Sequence, residues 1–333
     1  MKSQLVKDIG EQGLLQKIHS FCAAKLVGDD GAVLDMKRDH QLVVTTDVLV
    51  EEVHFSDRTT SAFDVGWRSA AANLSDLAAM GASPLGITVG LSLPGTTPVA
   101  WIEEMYRGLN SCLQQFDTPI VGGDVTRSQV ITVAIAAFGQ VLPHQTITRF
   151  SAQPGDAILV TGYHGISRAG LELLLNPQIG EALSSQEKAF LIQAHQRPQP
   201  RLDVIKKFRQ IAPEALITGM DSSDGLSDAI AQICRCSGVG ATISGQSISR
   251  CSILDKLSSN CDVNQWILNG GEDFELILCM SPQLAQKLLS YLEDDAAIIG
   301  YIKEESEMEI ISFEENTNSK VAEFKGQFQH FEE

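Results

Sequence analysis

The chain has 333 residues, of which 44% are hydrophobic and 20% charged, and a formal net charge of -17. That length predicts two domains of ordinary size, and the apolar fraction is enough to pack a core in each, which argues against disorder. The acidic balance argues against nucleic acid or an anionic membrane as a partner, because both recruit basic patches.

In chain order, the stretch to about residue 27 predicts a short amphipathic helix. Gln41–Leu49 predicts a strand carrying Thr45-Thr46-Asp47. Asp64–Met80 predicts a helix with Asp64 as N-cap, Gly81 just past its end and Pro84 beyond. Leu85–Leu93 follows as a strand and Pro98–Gln115 as a helix, with Ile102, Met105, Tyr106 and Leu109 at helical spacing. Pro119–Val121 starts a strand that runs into a Gly122-Gly123-Asp124 turn, and Val130–Val141 is an apolar strand. Pro143–Pro154 reads as a linker. Asp156–Thr161 and Leu216–Met220 predict strands. Gly165–Leu175, Gln186–His195 and Arg201–Ile211 predict helices, and another follows Asp221-Ser222-Ser223-Asp224-Gly225, with Asp224 placed to cap it. Ala241–Ser244, Trp266–Leu268, Phe274–Met280, Ala297–Ile302 and Glu309–Phe313 predict strands, and Pro282–Leu292 a helix. Both halves are therefore expected to be mixed α/β domains, 1–142 and 150–333, with acidic turns at strand ends, where α/β folds commonly bind ligands.

The N-terminus, Met1-Lys2-Ser3-Gln4, lacks the apolar stretch of a signal peptide, and no apolar run is long enough to span a bilayer, so a cytoplasmic location is expected. The seven cysteines are scattered without zinc-knuckle spacing and are expected to be reduced. Neither a Gly-x₄-Gly-Lys-Ser/Thr loop nor Gly-x-Gly-x-x-Gly is present, so any ATP chemistry has to run on metals rather than on a P-loop lysine.

The chemistry concentrates in Gly28-Asp29-Asp30-Gly31-Ala32, Thr45-Thr46-Asp47, Asn73-Leu74-Ser75-Asp76, Gly122-Gly123-Asp124-Val125-Thr126, Asp221-Ser222-Ser223-Asp224-Gly225 and Gly270-Gly271-Glu272-Asp273. Carboxylates set among Gly, Ser and Thr suit hard cations with oxygen ligands, and several such clusters suggest several Mg²⁺ ions and polyphosphate chemistry. Singly, Asp29-Asp30 between glycines and Gly122-Gly123-Asp124 read first as turns. Asp76 does not, because a carboxylate among Ala71, Ala72, Ala78 and Ala79 inside a helix is costly unless paired or metal-bound. His54, Tyr106 and Arg149 read locally as a strand-edge, a core and a surface residue.

In this order the motifs resemble the PurM-like ATP-dependent synthetases and kinases and, among them, the thiamine-monophosphate kinase family. The stretches that carry the resemblance include Thr45-Thr46-Asp47-Val48-Leu49-Val50-Glu51-Glu52-Val53-His54-Phe55 and Gly270-Gly271-Glu272-Asp273-Phe274-Glu275-Leu276. The resemblance implies a two-domain PurM-like α/β (α+β) fold whose N-terminal domains pair as a homodimer β-barrel. It implies ATP-dependent phosphorylation of thiamine monophosphate by direct in-line transfer. Asp30, Thr45, Thr46, Asp47, Asp76, Asp124, Asp221 and Asp224 match Mg²⁺ positions, and catalysis is expected to rest on Asp47, Asp124 and Asp221. Tyr106, Gly123, Arg149 and Ser223 match ATP contacts, while His54, Glu272 and Phe328 match contacts to thiamine monophosphate. The family's terminal aromatic usually precedes Asp-His-Phe or Glu-His-Phe, whereas here Gln329-His330-Phe331 follows. Two other readings fit the clusters: a PurM-like enzyme with a different acceptor, and a non-catalytic divalent-ion-binding protein.

Overall fold

Four short apolar stretches of alternating burial pair into the sheet of the first unit, which spans Met1–Leu77 and Ala82–Pro143. The computed structural model describes residues 4–24, 26, 27, 31–259, 261–293, 295–305 and 307–311. After helix α1 (Val6–Ile18), the strands β1 (Gln41–Val50), β2 (Ser83–Leu93), β3 (Ile120–Arg127) and β4 (Thr132–Val141) take the order β1-β4-β2-β3. β4 is antiparallel to both β1 and β2, whereas β2 and β3 are parallel. A parallel pair needs a crossover, and helix α3 (Val99–Leu113) supplies it, while α2 (Ala62–Ala79) links β1 to β2.

Strand alternation gives this sheet two different faces. Val133, Ile135 and Ala137 of β4 and Ile87, Val89 and Leu91 of β2 are buried on the helix-covered face. On the other face β1 presents Leu42, Val44 and Val48, which are 50%, 56% and 46% exposed. The helices cross very closely on their side. A Cβ on Gly66 would lie 1.8 Å from the Met105 carbonyl oxygen, and one on Gly108 1.8 Å from that of Phe63, so only glycine permits this approach.

Two local expectations are corrected here. Helix α2 starts one turn earlier than Asp64, and Ser61 is its cap: the Asp64 N–H donates to Ser61 Oγ at 3.3 Å, and Ser61 Oγ donates back to Asp64 at 2.5 Å. Gly122-Gly123-Asp124 is not a turn but lies within β3, in register with Thr88, Val89 and Gly90. A Cβ on Gly123 would sit 2.2 Å from the Val89 carbonyl oxygen, so the glycine is what lets the two strands pair there.

The second unit, Ala78–Gly81 with His144–Glu333, builds a six-stranded sheet. Its elements are β5 (Ala157–Val160), α4 (Ile166–Leu175), α5 (Ser185–Gln196), α6 (Leu202–Ile211), β6 (Thr218–Asp221), α7 (Leu226–Ser237) and β7 (Gly240–Ser244). There follow α8 (Ser252–Asp255), α9 (Val263–Asn269), β8 (Leu276–Met280), α10 (Pro282–Leu289), β9 (Ala297–Lys303) and β10 (Met308–Ile311). The sheet order is β10-β7-β9-β5-β8-β6, and β5, β6 and β8 are buried along their whole length. Ile158, Val160, Ile230, Ile277 and Ile299 belong to the core beside it.

Trp266–Leu268, expected as a strand, lies inside α9. A three-residue apolar run fits either period, and the Asp262 carboxylate, accepting from the Gln265 N–H at 3.2 Å, supplies the helix start that decides it. Helix α7 is entered through Gly225 at φ +109°, so Gly225 rather than Asp224 holds the N-cap position. The stretch expected as a linker is partly structured: Ile147 and Ala152 are buried, and the Thr148 carbonyl accepts from the Gly219 N–H at 3.0 Å.

Candidate functional site

In the first unit, oxygen donors gather where β1 passes under α2. Thr45 and Asp47 are two residues apart, so both face the helix. The Thr45 hydroxyl donates to the Asp76 carboxylate, and the Asp47 N–H donates to the Asn73 side-chain oxygen at 3.2 Å. Asp76, half-buried, is thus paired rather than stranded among alanines. Just past β1 the chain turns through Glu52 at φ +64°, and the Val50 N–H donates to His54 Nδ1 at 3.1 Å. With Nδ1 accepting, the neutral ring carries its proton on Nε2.

Thr46 and Asp124 lie elsewhere on the same sheet. Thr46 faces away from α2 and donates to the Ile135 carbonyl at 2.8 Å. Asp124 pairs in register with Gly90, which faces Ala134 and, across β4, Val48. Asp124 is therefore on the open face, three strand spacings or about 14 Å from β1. A cleft of about 670 Å³ opens beside it, lined among others by Glu11, Cys22, Tyr106, Gly122, Gly123 and Asp124. Tyr106 is 3% exposed, with its ring 5.6 Å from that of Phe21; burial, and then the nearby Cys22 thiol, push its phenol up from the ordinary range.

In the second unit Asp221 ends β6, is 2% exposed, and accepts from the Ser223 hydroxyl at 3.2 Å, while Asp224 is exposed at the head of the turn. Packed on this turn is the loop Gly270–Glu275. The Glu272 N–H donates to the Ser223 carbonyl at 2.7 Å, and Ser222 and Glu275 exchange contacts through N–H, carbonyl and hydroxyl. Gly271, Glu272 and Phe274 all have positive φ, of 65°, 57° and 53°, which two non-glycine residues adopt only under constraint.

Buried charge provides that constraint. Glu275 accepts from Arg201 and from Thr161, each at 2.5 Å. Asp273 accepts the first free N–H groups of α4, from Gly165 at 2.7 Å and Ser167 at 2.8 Å. Burial nevertheless outweighs these bonds and pushes the Asp273 carboxyl up to about 7. Glu272 is the member left reachable, its side chain 35% exposed. Arg149 is exposed and donates to Gln232 on α7 at 2.6 Å.

The family model of the AIR synthase related protein, N-terminal domain, matches residues 28–141, and that of its C-terminal domain residues 153–312. The thiamine-monophosphate kinase of Synechococcus elongatus is 45% identical over 99% of this chain and 99% of its own. The chain belongs to the thiamine-monophosphate kinase family. Among solved structures, the thiamine-monophosphate kinase of Stenotrophomonas maltophilia matches at 32% identity and a TM-score of 0.78, covering 89% of this chain and 95% of that one. A second, AaThiL complexed with AMPPCP and TMP, matches at 29% identity and a TM-score of 0.74, covering 96% of this chain and 99% of that one.

For a thiamine-monophosphate kinase the donor chemistry fits Mg²⁺. Among the described residues no three His, Cys, Asp or Glu side chains form a metal cage. Mg²⁺ asks for none: it keeps several waters and takes one or two carboxylates plus substrate phosphate, all hard oxygen donors like Thr45, Asp47 and Asp76. Of the expected positions, the structure brings together Thr45, Asp47 and Asp76 in one unit and Asp221, Ser223, Asp224 and Glu272 in the other. Asp30 and Phe328 lie outside the described residues. Sequence reasoning gave no role to Asn73, Ser167, His195, Arg201, Asp273 or Glu275. The quoted motifs contain three of these, but only the fold shows that Asp273 and Glu275 lock the loop that presents Glu272.

Proposed function

We propose that the chain transfers the γ-phosphoryl group of ATP to thiamine monophosphate, giving ADP and thiamine diphosphate. An acceptor phosphate oxygen forms the new P–O bond while the β–γ bridging bond breaks, its electron pair leaving with ADP. The observation that carries this reading is the oxygen set at the crossing of β1 and α2, a hard-cation site preorganised by Thr45–Asp76 and Asn73–Asp47 contacts. No general base is required, because the acceptor oxygen is already anionic near neutral pH. What opposes reaction is charge, about 4 kcal/mol per unit pair at ~4 Å and an effective dielectric of ~20. Bound Mg²⁺ would offset that repulsion and stabilise the in-line transition state.

The residues then have separate tasks. Thr45, Asp47 and Asp76 in the first unit, and Asp221 and Asp224 in the second, would hold Mg²⁺. Gly123 and Tyr106, which border the cleft of the first unit, and Ser223 and Arg149 are assigned to ATP. His54 donates its Nε2–H to the acceptor phosphate. Glu272 sets a carboxylate against the thiazolium cation, and Phe328 offers an aromatic face worth ~0.5–2 kcal/mol toward a cation. Domain 1–142 thus carries metal and phosphate binding together with dimerisation, and domain 150–333 the remaining contacts; the reaction belongs in the cytoplasm, where ATP is supplied.

The open face of the first sheet supports the homodimer. Leu42, Val44 and Val48 form an exposed apolar row, of the kind that marks an interface. Thr46 and Asp124 share that face but stand on β1 and β3. ADP release should depend on thiamine monophosphate; release at full rate without it, or with another phosphorylated acceptor in its place, would overturn the assigned acceptor.

A further inference from the structure

We infer that His195 is a positioning residue that fixes the carboxylate of Glu272 toward the cationic ring of the substrate, which rests on the reading that Glu272 meets the thiazolium. His195 lies on α5 with its side chain 3% exposed, and its Nδ1 is 3.7 Å from Glu272 Oε2 and 3.3 Å from Ser167 Oγ. One face of the Glu272 carboxylate is thus backed by a buried imidazole while 35% of its side chain stays open.

The imidazole is held there by the fold. Helices α4 and α5 meet at Gly170, where a Cβ would lie 2.1 Å from the Leu191 carbonyl oxygen and 3.0 Å from the His195 Cβ. That approach lays His195 over Ser167, one turn earlier on α4. The Ser167 N–H donates in turn to Asp273, the neighbour of Glu272. The backbone of Glu272 is pinned by its bond to Ser223, but its side chain has three rotatable bonds of its own. Ordering such a chain before the ligand arrives removes an entropic cost from binding. A histidine buried for packing alone would leave the orientation of Glu272 untouched.

Two substitutions of similar size separate these roles. In His195→Asn the amide NH₂ falls near the position of Nδ1, whereas in His195→Gln it falls near Nε2. Turnover is measured with each substrate varied, and inhibition with an uncharged-ring isostere of thiamine monophosphate. The Gln variant is expected to raise KM for thiamine monophosphate about tenfold, about 1.4 kcal/mol, and to lower the preference for the cationic over the uncharged ring by the same factor. KM for ATP and kcat should stay within about twofold, and the Asn variant within about threefold of wild type throughout. Equal effects of Asn and Gln, an equal rise in KM for ATP, or an unchanged ring preference would overturn the positioning role. Glu272→Gln separates the layers: ring preference lost there but kept in His195→Gln defeats this inference alone, and preference kept in both defeats the assignment of Glu272 as well.

Discussion

Thr45, Asp47 and Asp76 of the first unit sit on regular structure, whereas in the second only Asp221 does, at the end of β6, and Ser223, Asp224 and Glu272 sit on backbone that regular structure does not supply. Thr45, Asp47 and Asp76 are placed by a strand register and a helix phase, so their relative positions follow from β1 and α2 being formed at all. Ser223 and Glu272 sit in a turn and a loop with positive φ at Gly225, Gly271, Glu272 and Phe274. Such backbone persists only because buried Asp273, Glu275 and Arg201 hold it. One region spends sheet pairing on its site and the other spends buried charge, so the two should fail in different ways.

The largest effect expected is on chemistry and is common to both regions. Asp47→Asn and Asp221→Asn should each lower kcat on the order of 10³-fold with the thermal midpoint unchanged. Near-normal kcat in either purified variant would remove that residue from the metal set.

The next effect separates the regions. Glu275→Ala removes the buried partner of the largely buried Arg201 guanidinium, leaving it only the exposed Asp203 at 3.3 Å, and should cost about 3 kcal/mol in urea unfolding. Asp76→Ala, on an already formed helix, should cost under about 1 kcal/mol while still abolishing turnover. Comparable destabilisation by the two would erase the contrast.

Asp273 adds a pH signature to the second unit only. Its folded value, pushed up to about 7 mainly by burial, lies above the ordinary carboxyl value of about 3.9, so the folded protein binds the proton more tightly. The stability it contributes is complete below about pH 4 and is lost as pH rises toward 7, at up to about 1.4 kcal/mol per pH unit. Asp273→Asn should flatten that slope, and an unchanged slope would mean the carboxyl is ionised when folded.

Smaller effects belong to the first unit. Val44→Asp places a charge in the open apolar row and should give a monomer by light scattering; an intact dimer would put the interface elsewhere. Thr45→Val removes the hydroxyl that orients Asp76 and should raise the Mg²⁺ concentration for half-maximal activity about tenfold.

Much of the fold could be read from the sequence, because alternation in β2 and β4 and helical spacing in α3 are long and regular. The misreadings fall where local signals conflict. Trp266–Leu268 is too short to show a period, and Gly122-Gly123-Asp124 looks like a turn because glycine also serves close strand pairing. Asp64 was an acceptable cap until Ser61, three residues earlier, formed the reciprocal pair. The acidic clusters suggest metal chemistry, yet which donors meet is set by register: Thr45 and Asp47 turn to α2, and Thr46 and Asp124 do not. The support beneath Glu272 could not be read at all, since His195, Arg201 and Thr161 reach it from elements more than seventy residues away in the chain.

The most direct test is to incubate the protein with Mg²⁺, thiamine monophosphate and ATP labelled in its γ-phosphate, then separate the products by chromatography. Label in thiamine diphosphate, formed only when all three components are present and never found on the protein, is the expected result. Label released solely as inorganic phosphate, or retained on the chain, would contradict direct transfer to thiamine monophosphate.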